Sequence, residues 1–234
     1  MNIQDLDEFL HIDTSGEKWH LKHPGELSPF YAHLPLHNYQ NMQCYYFDFA
    51  NTLKTDQIGV VKESRYTTIP PHYHKDMELN YIYEGTCTFI INGKEVTMNQ
   101  GDLCILDTNV VHSATSYKSA NDIVINIVFK KEFFNSVFLS RLSQKGIITT
   151  FLLNAISKNR HHNQYIIFNT QNNFKFHTLI QFLLCEYFGP SRCFNELMQT
   201  YVSAIFLELI NTLYDDQDTN YNDKASQDIL IPIL

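Results

Sequence analysis

Positive charge is scarce in this chain: its 234 residues carry 17 lysines and arginines against 25 aspartates and glutamates, a formal net charge of −8. A surface of that sign repels a phosphate backbone, so this chain is not the part of a protein that grips nucleic acid. Long apolar runs are missing too. The longest, 123–129 and 205–213, are broken by Asn, Glu or Thr well short of the roughly 20 residues a membrane span needs. No transmembrane helix and no membrane partner are expected. The opening Met1-Asn-Ile-Gln-Asp-Leu-Asp-Glu has acids where a secretory signal has a basic region and an apolar core, which points to the cytoplasm. No CxxC pair exists among the five cysteines, Cys44, Cys87, Cys104, Cys185 and Cys193. Each sits among aliphatic or aromatic residues, so reduced packing cysteines are favoured over a redox or metal role. Internal repeats and low-complexity blocks are also absent.

What the chain does have is apolar material, 44% hydrophobic and 14% aromatic residues, enough for one sizeable core or two small ones packed together. The period of that material changes near residue 130. Before it, short strands alternate with turn signals. Tyr45 to Phe49 reads as a first strand, Tyr81-Ile82-Tyr83 precedes Gly85, and Thr86 to Ile91 meets Asn92-Gly93, a strong hairpin signal because both turn residues need positive φ. Gly101-Asp102 leads into the apolar run 103–106, and 122–129 closes a small all-β barrel or sandwich.

After Phe129 the spacing becomes helical over 133–143, 147–158, 174–188 and 192–214, with Gly189-Pro190-Ser191 separating the last two. In the final helix Met198, Val202, Ile205, Leu209 and Leu213 form an apolar stripe, widened by Tyr201 and Phe206. The stripe packs either on its own barrel or on a partner subunit, the second making it a homodimer helix. Residues 215–226 read as a polar linker, and Ser226 could cap a new helix that stops at Leu234. The expected organisation is therefore a barrel with an N-terminal arm over 1–130, a helical dimerisation segment over 131–214, and over 215–234 a linker entering a truncated helix-turn-helix domain.

The residues that carry chemistry are His72, His74, Glu78 and His112. Two histidines and a carboxylate close together, with a third histidine on a later strand, make a ligand set for a divalent transition metal with open positions. His72 and His74 share parity and so one strand face. Glu78 on a straight strand would lie about 13 Å beyond His74, so a bend at 75–77 is required. Two readings stay open: metal-free histidines lining a barrel mouth, with no cofactor required, or a bound divalent transition metal. His161, His162 and His177 lack partners at ligand spacing.

These residues, with Gly85, Gly101-Asp102 and the spacing from Gly101 to His112, resemble the cupin signature. The departures are Tyr66 where a Gly is expected ahead of the first His, Asp107 and Asn109 for Pro and Gly inside the second motif, and Ser116 for its closing Asn. That drift resembles the sensor domains of AraC-type transcription regulators. The resemblance implies an α+β chain: an antiparallel cupin-like β-barrel (double-stranded β-helix or jelly roll) followed by C-terminal helices. It further implies a small-molecule effector, a sugar or other metabolite, held near His72, His74, Glu78 and His112, with Tyr66, Tyr81 and Tyr83 available to stack on it. DNA would be reached only through a C-terminal domain missing here, and the chain itself would not be an enzyme. The alternatives are a metal-dependent cupin enzyme, an isomerase or dioxygenase, and a stand-alone binding module.

Overall fold

The computed structural model describes residues 1–53, 57–142, 147–157 and 164–219. Helices α1 (Ile3–His11) and α2 (Ser15–Lys22) lead through a 3-10 turn (Pro29–His33) to β1 (Leu36–Tyr39), β2 (Met42–Tyr46), a short α3 (Ala50–Leu53) and β3 (Ile58–Lys62). The barrel continues with β4 (Ile69–Tyr73), β5 (Met77–Glu84), β6 (Thr86–Ile91), β7 (Lys94–Asn99), β8 (Leu103–Leu106), β9 (His112–Ala114) and β10 (Ile123–Phe129). Beyond it come α4 (Ser136–Leu139), α5 (Ile147–Ile156), β11 (Tyr165–Phe168), α6 (Phe174–Phe188) and α7 (Phe194–Thr219).

The strands form two sheets, ordered β1-β2-β4-β9-β6-β7 and β11-β8-β5-β10-β3. One expectation is corrected at once: the barrel is not wholly antiparallel, because β2 runs parallel to β4 with Tyr45 opposite His72. The Asn92-Gly93 hairpin forms as read, with φ of 49° and 78°. Tyr66 and Asn109, at two of the positions where the cupin resemblance expects glycine, also adopt the left-handed region, at φ 62° and 61°. The backbone geometry survives although the residue that adopts it most readily is gone, at a cost of about 1 kcal/mol at Tyr66 and less at Asn109, whose short polar side chain tolerates this region.

Alternation explains where the core sits. On β5, Met77, Leu79, Tyr81 and Tyr83 join the outer cluster, as do Ile123, Ile125, Ile127 and Phe129 on β10. Helices α1, α5, α6 and α7 cover that face through Leu6, Leu10, Leu152, Leu183, Phe206 and others of the same cluster. The intervening residues point between the sheets, where Ile82, Phe89, Cys104, Leu106 and Val124 form a second, smaller cluster. The period of two thus divides each strand of the five-stranded sheet between helices outside and barrel inside.

The α7 stripe is resolved by its burial. Met198, Val202, Ile205, Leu209 and Leu213 are all at most 9% exposed and belong to the outer cluster, so they are already covered by this chain's own sheet and helices. They are not a free dimer face, which corrects that assignment. Each such residue stabilises the docking by roughly 1.5–3 kcal/mol. α7 also runs past the expected stop at Tyr214 to Thr219. The remainder of the expected linker and truncated helix-turn-helix segment, 220–234, lies outside the described residues, as do His161 and His162. Cys44, Cys87, Cys104 and Cys185 are buried and free, whereas Cys193 is exposed, against the expectation of five packed cysteines. No helix among the described residues is long and apolar enough to cross a membrane.

Candidate functional site

The required bend is present: β4 ends at Tyr73, 74–76 turn, and β5 starts at Met77. This brings one nitrogen each of His74 and His112 and a carboxylate oxygen of Glu78 within 4.8 Å of one another. All three residues are buried, Glu78 completely. His74 Nε2 lies 2.6 Å from Glu78 Oε2, and His112 Nε2 approaches the same oxygen to 3.3 Å without hydrogen-bond alignment. His72, expected as a fourth ligand, is adjacent but outside this group. Its ring stands 4.0 Å from His112 and 6.3 Å from His74, stacked on Phe47.

The backbone fixes how these rings present themselves. Nδ1 of His72, His74 and His112 lies 2.9, 2.8 and 3.0 Å from the carbonyl oxygens of Pro70, Asp76 and Val110. A carbonyl only accepts, so each Nδ1 is the donor. In the neutral ring Nε2 then has only a lone pair, and for His74 and His112 it faces a carboxylate. Two lone pairs repel, so the cluster needs a proton between the facing atoms, or one divalent cation shared by them.

Electrostatics agree with that requirement. Burial works to raise the Glu78 pKa, but His74 and His112 outweigh it and hold the carboxyl well below its usual range. Burial lowers His112, yet the close negative charge of Glu78 wins and raises it. His72, by contrast, is pushed well below the ordinary imidazole range by burial and then by His112, and is neutral. The residues present also fit a metal. Glu78 Oε1 and His112 Nε2 are buried without a hydrogen-bond partner. Imidazoles oriented by carbonyl acceptors behind them are the usual support of a metal-bound histidine. His74, Glu78 and His112 would hold such an ion, leaving positions open.

Of the three stacking tyrosines, none reaches the cluster. Tyr81 and Tyr83 have parity opposite to Glu78 on β5. Tyr81 Oη therefore meets His177 Nδ1 at 2.9 Å, and Tyr83 donates to Asp7, both on the helix side. Tyr66 donates to Asp13 in the N-terminal arm, with Arg65 over its ring. All three are corrected from ligand contacts to packing residues.

Instead, a cavity of about 260 Å³ opens beside His72 and Glu78. Phe30, Tyr31, Phe47 and Phe49 form its aromatic wall, and Glu63, Asn126 and His20 its polar one. Asn126 was legible as a polar residue in the centre of the apolar run Ile-Val-Ile-Asn-Ile-Val-Phe, at the parity that faces inward. Its Nδ2 donates to Glu63 Oε1 at 3.1 Å, while Lys118 Nζ, wholly buried, faces Glu63 Oε2 at 3.2 Å. Nothing local in the sequence announced Glu63 or Lys118.

The N-terminal arm closes the mouth through one buried ion network. Glu17 accepts from Arg65 Nε at 2.7 Å and Lys62 Nζ at 3.0 Å while capping α2 with Thr14. Arg65 also bonds Asp13 and the carbonyls of His11 and Ala120. Burial opposes the Glu17 charge, but hydrogen bonds from Arg65, the Thr14 amide and Lys62 bring its pKa down to about 2. Gly16 and His20, on either side of Glu17 along the chain, line the cavity.

Residues 64–125 match the family of cupin domains. No curated protein matches the chain. Among solved structures, an apo ToxT variant from Vibrio cholerae is similar at 12% identity and a TM-score of 0.46, over 68% of this chain. This chain spans only 56% of that one. KdgF from Halomonas sp. is similar at 20% identity, over 31% of this chain and 67% of its own, with a TM-score of 0.27. A predicted oxalate decarboxylase from Thermotoga maritima is similar at 18% identity, over 42% and 95%, with a TM-score of 0.29. With its matched motif, paired sheets and docked helices, the chain has a cupin fold, an α+β jelly roll carrying C-terminal helices.

Proposed function

We propose that this chain is the ligand-sensing portion of a bacterial AraC-type transcription regulator. On this reading a small molecule in the barrel controls DNA binding by a domain elsewhere in the same protein, in the cytoplasm, without catalysis. The observation that carries it is the two-sided sheet. Glu78 and Asn126 face the cavity, while their neighbours Leu79 and Ile127 pack in the core shared with α6 and α7. An occupant that shifts β5 or β10 must therefore shift what the helices rest on. Homodimerisation remains part of the proposal, but on a face other than the buried α7 stripe. The exposed Phe182, against Tyr201 on the outside of the helix pair, is where such a contact begins.

The test is a metabolite screen by thermal shift on the chain, followed by DNA binding of the whole protein with each hit. A hit that changes DNA affinity supports the reading. Hits that bind without any change in DNA affinity or oligomeric state overturn it.

A second reading is favoured by the His74–Glu78–His112 geometry: a metal-dependent cupin enzyme, an isomerase or dioxygenase. A divalent transition ion held there supplies a Lewis acid next to the cavity. The protein's own part is to present two bare Nε2 atoms and a carboxylate, and to keep His72 neutral at the cavity edge. Elemental mass spectrometry on untagged protein, beside His74→Ala, separates the readings. One metal per chain, lost in the variant, favours the enzyme; no metal in either leaves the sensor.

A further inference from the structure

Among the described residues that line the cavity, those with a buried polar atom lacking a hydrogen-bond partner each offer an acceptor: Asn126 Oδ1, Glu78 Oε1 and Glu63 Oε2, the last facing only the Lys118 ammonium at 3.2 Å. The three side chains are all more than nine-tenths buried. The Asn126 orientation is fixed, because its Nδ2 donates to Glu63, so its oxygen is the end left over.

The cations nearby are already committed. Lys62 gives its ammonium to the carbonyls of Leu10 and Ile12 and to Glu17. Arg65 is taken up by Glu17, Asp13 and two carbonyls. Lys118 stands behind Glu63, not on the cavity wall. An anionic ligand would therefore meet no unpaired lysine or arginine on the cavity wall, would face the Glu63 carboxylate instead, and would lose its hydration without compensation. A neutral molecule that brings hydroxyl protons would satisfy acceptors that now go without. Phe30 and Phe47, whose rings meet edge-on at 6.0 Å, give its carbon face an apolar wall.

We propose that Glu63 and Asn126 form a recognition pole for a neutral, hydroxyl-bearing small molecule, and that the cavity discriminates against carboxylates and phosphates. Lys118 is a positioning residue, holding Glu63 in place through their 3.2 Å ion pair. This inference rests on the sensor reading for the existence of a ligand, but not for its class.

The experiment is calorimetric titration of the full chain with matched probes: D-glucose against D-gluconate, D-xylose against D-xylonate, and myo-inositol against its 1-phosphate. At least one neutral probe is expected to bind at least tenfold more tightly than its charged partner. Asn126→Leu should then weaken that probe at least tenfold. Glu63→Gln leaves Lys118 buried and unpaired and can unfold the chain, so the paired variant Glu63→Gln with Lys118→Met serves as the second test. It should fold and show the same loss. Tighter binding of a charged partner, or undiminished binding by a folded Asn126→Leu, overturns the pole and leaves the sensor reading standing. Binding by none of the six also overturns the pole. The sensor reading falls with it only if the broader metabolite screen finds no ligand either.

Discussion

The two faces of the five-stranded sheet are made from the same strands and behave as different materials. Outside, Leu79, Tyr81, Ile125 and Ile127 lie in a continuous apolar core with α6 and α7. Inside, one residue along, Glu78, Asn80 and Asn126 are buried with oxygen atoms that lack partners. The outer face is optimised for holding and the inner one is left unfinished. Buried acceptors without partners cost about 1–3 kcal/mol each, a cost a protein retains where something else is meant to supply the donors.

The comparison is most severely strained by emptying the outer face. Phe206 is fully buried among Phe129, Phe134 and Phe138, so Phe206→Ala should cost about 3–5 kcal/mol in urea unfolding. Affinity for any cavity ligand should change far less. A comparable loss of affinity would show that the two faces are not separable.

The arm that closes the inner face comes next. Glu17→Gln removes the carboxylate that the buried Arg65 and Lys62 share, leaving Arg65 with Asp13 and Lys62 with backbone carbonyls, and should cost about 3 kcal/mol. The wild-type pH dependence gives the same group a signature. Its folded pKa, about 2, lies below the ordinary 4.5, so its contribution is complete above about pH 5 and is lost as pH falls through 4.5 towards 2. The acid limb of stability against pH should therefore be flatter in Glu17→Gln, measured by chemical denaturation between pH 3 and 7.

Smaller effects sharpen the boundary. Tyr81→Phe removes the hydrogen bond to His177 on the helix side and should cost about 1 kcal/mol, with ligand affinity unchanged. Weakened binding would return Tyr81 to the site. Asn109→Gly, at φ 61°, should be neutral or stabilising by a few tenths of a kcal/mol in the same unfolding measurement.

Much of this was legible in the chain. The spacing of His74, Glu78 and His112 carried both the cluster and the bend that assembles it, and the 174–188 periodicity matched α6 to the residue. Parity was available for Tyr81 and Tyr83 and, applied to them, already set them opposite Glu78. The capping boxes Asn2 with Asp5 and Thr14 with Glu17 were also present, though helices of nine and eight residues show too few turns for periodicity to stand out. The four-residue β11 exists because β8 offers it an edge, a tertiary cause with no local signal. The cavity was least legible. Glu17 and Arg65 are 48 residues apart, and Glu63 meets Lys118 only once the barrel has closed.

The most direct test of a sheet that couples its two faces is hydrogen–deuterium exchange on the chain with and without its tightest cavity ligand. Coupling requires added protection in β5 and β10, in the 15–22 helix of the arm, and also in α6 and α7, which no ligand in the cavity touches. Protection confined to the barrel strands and the arm, with α6 and α7 unchanged, would contradict it.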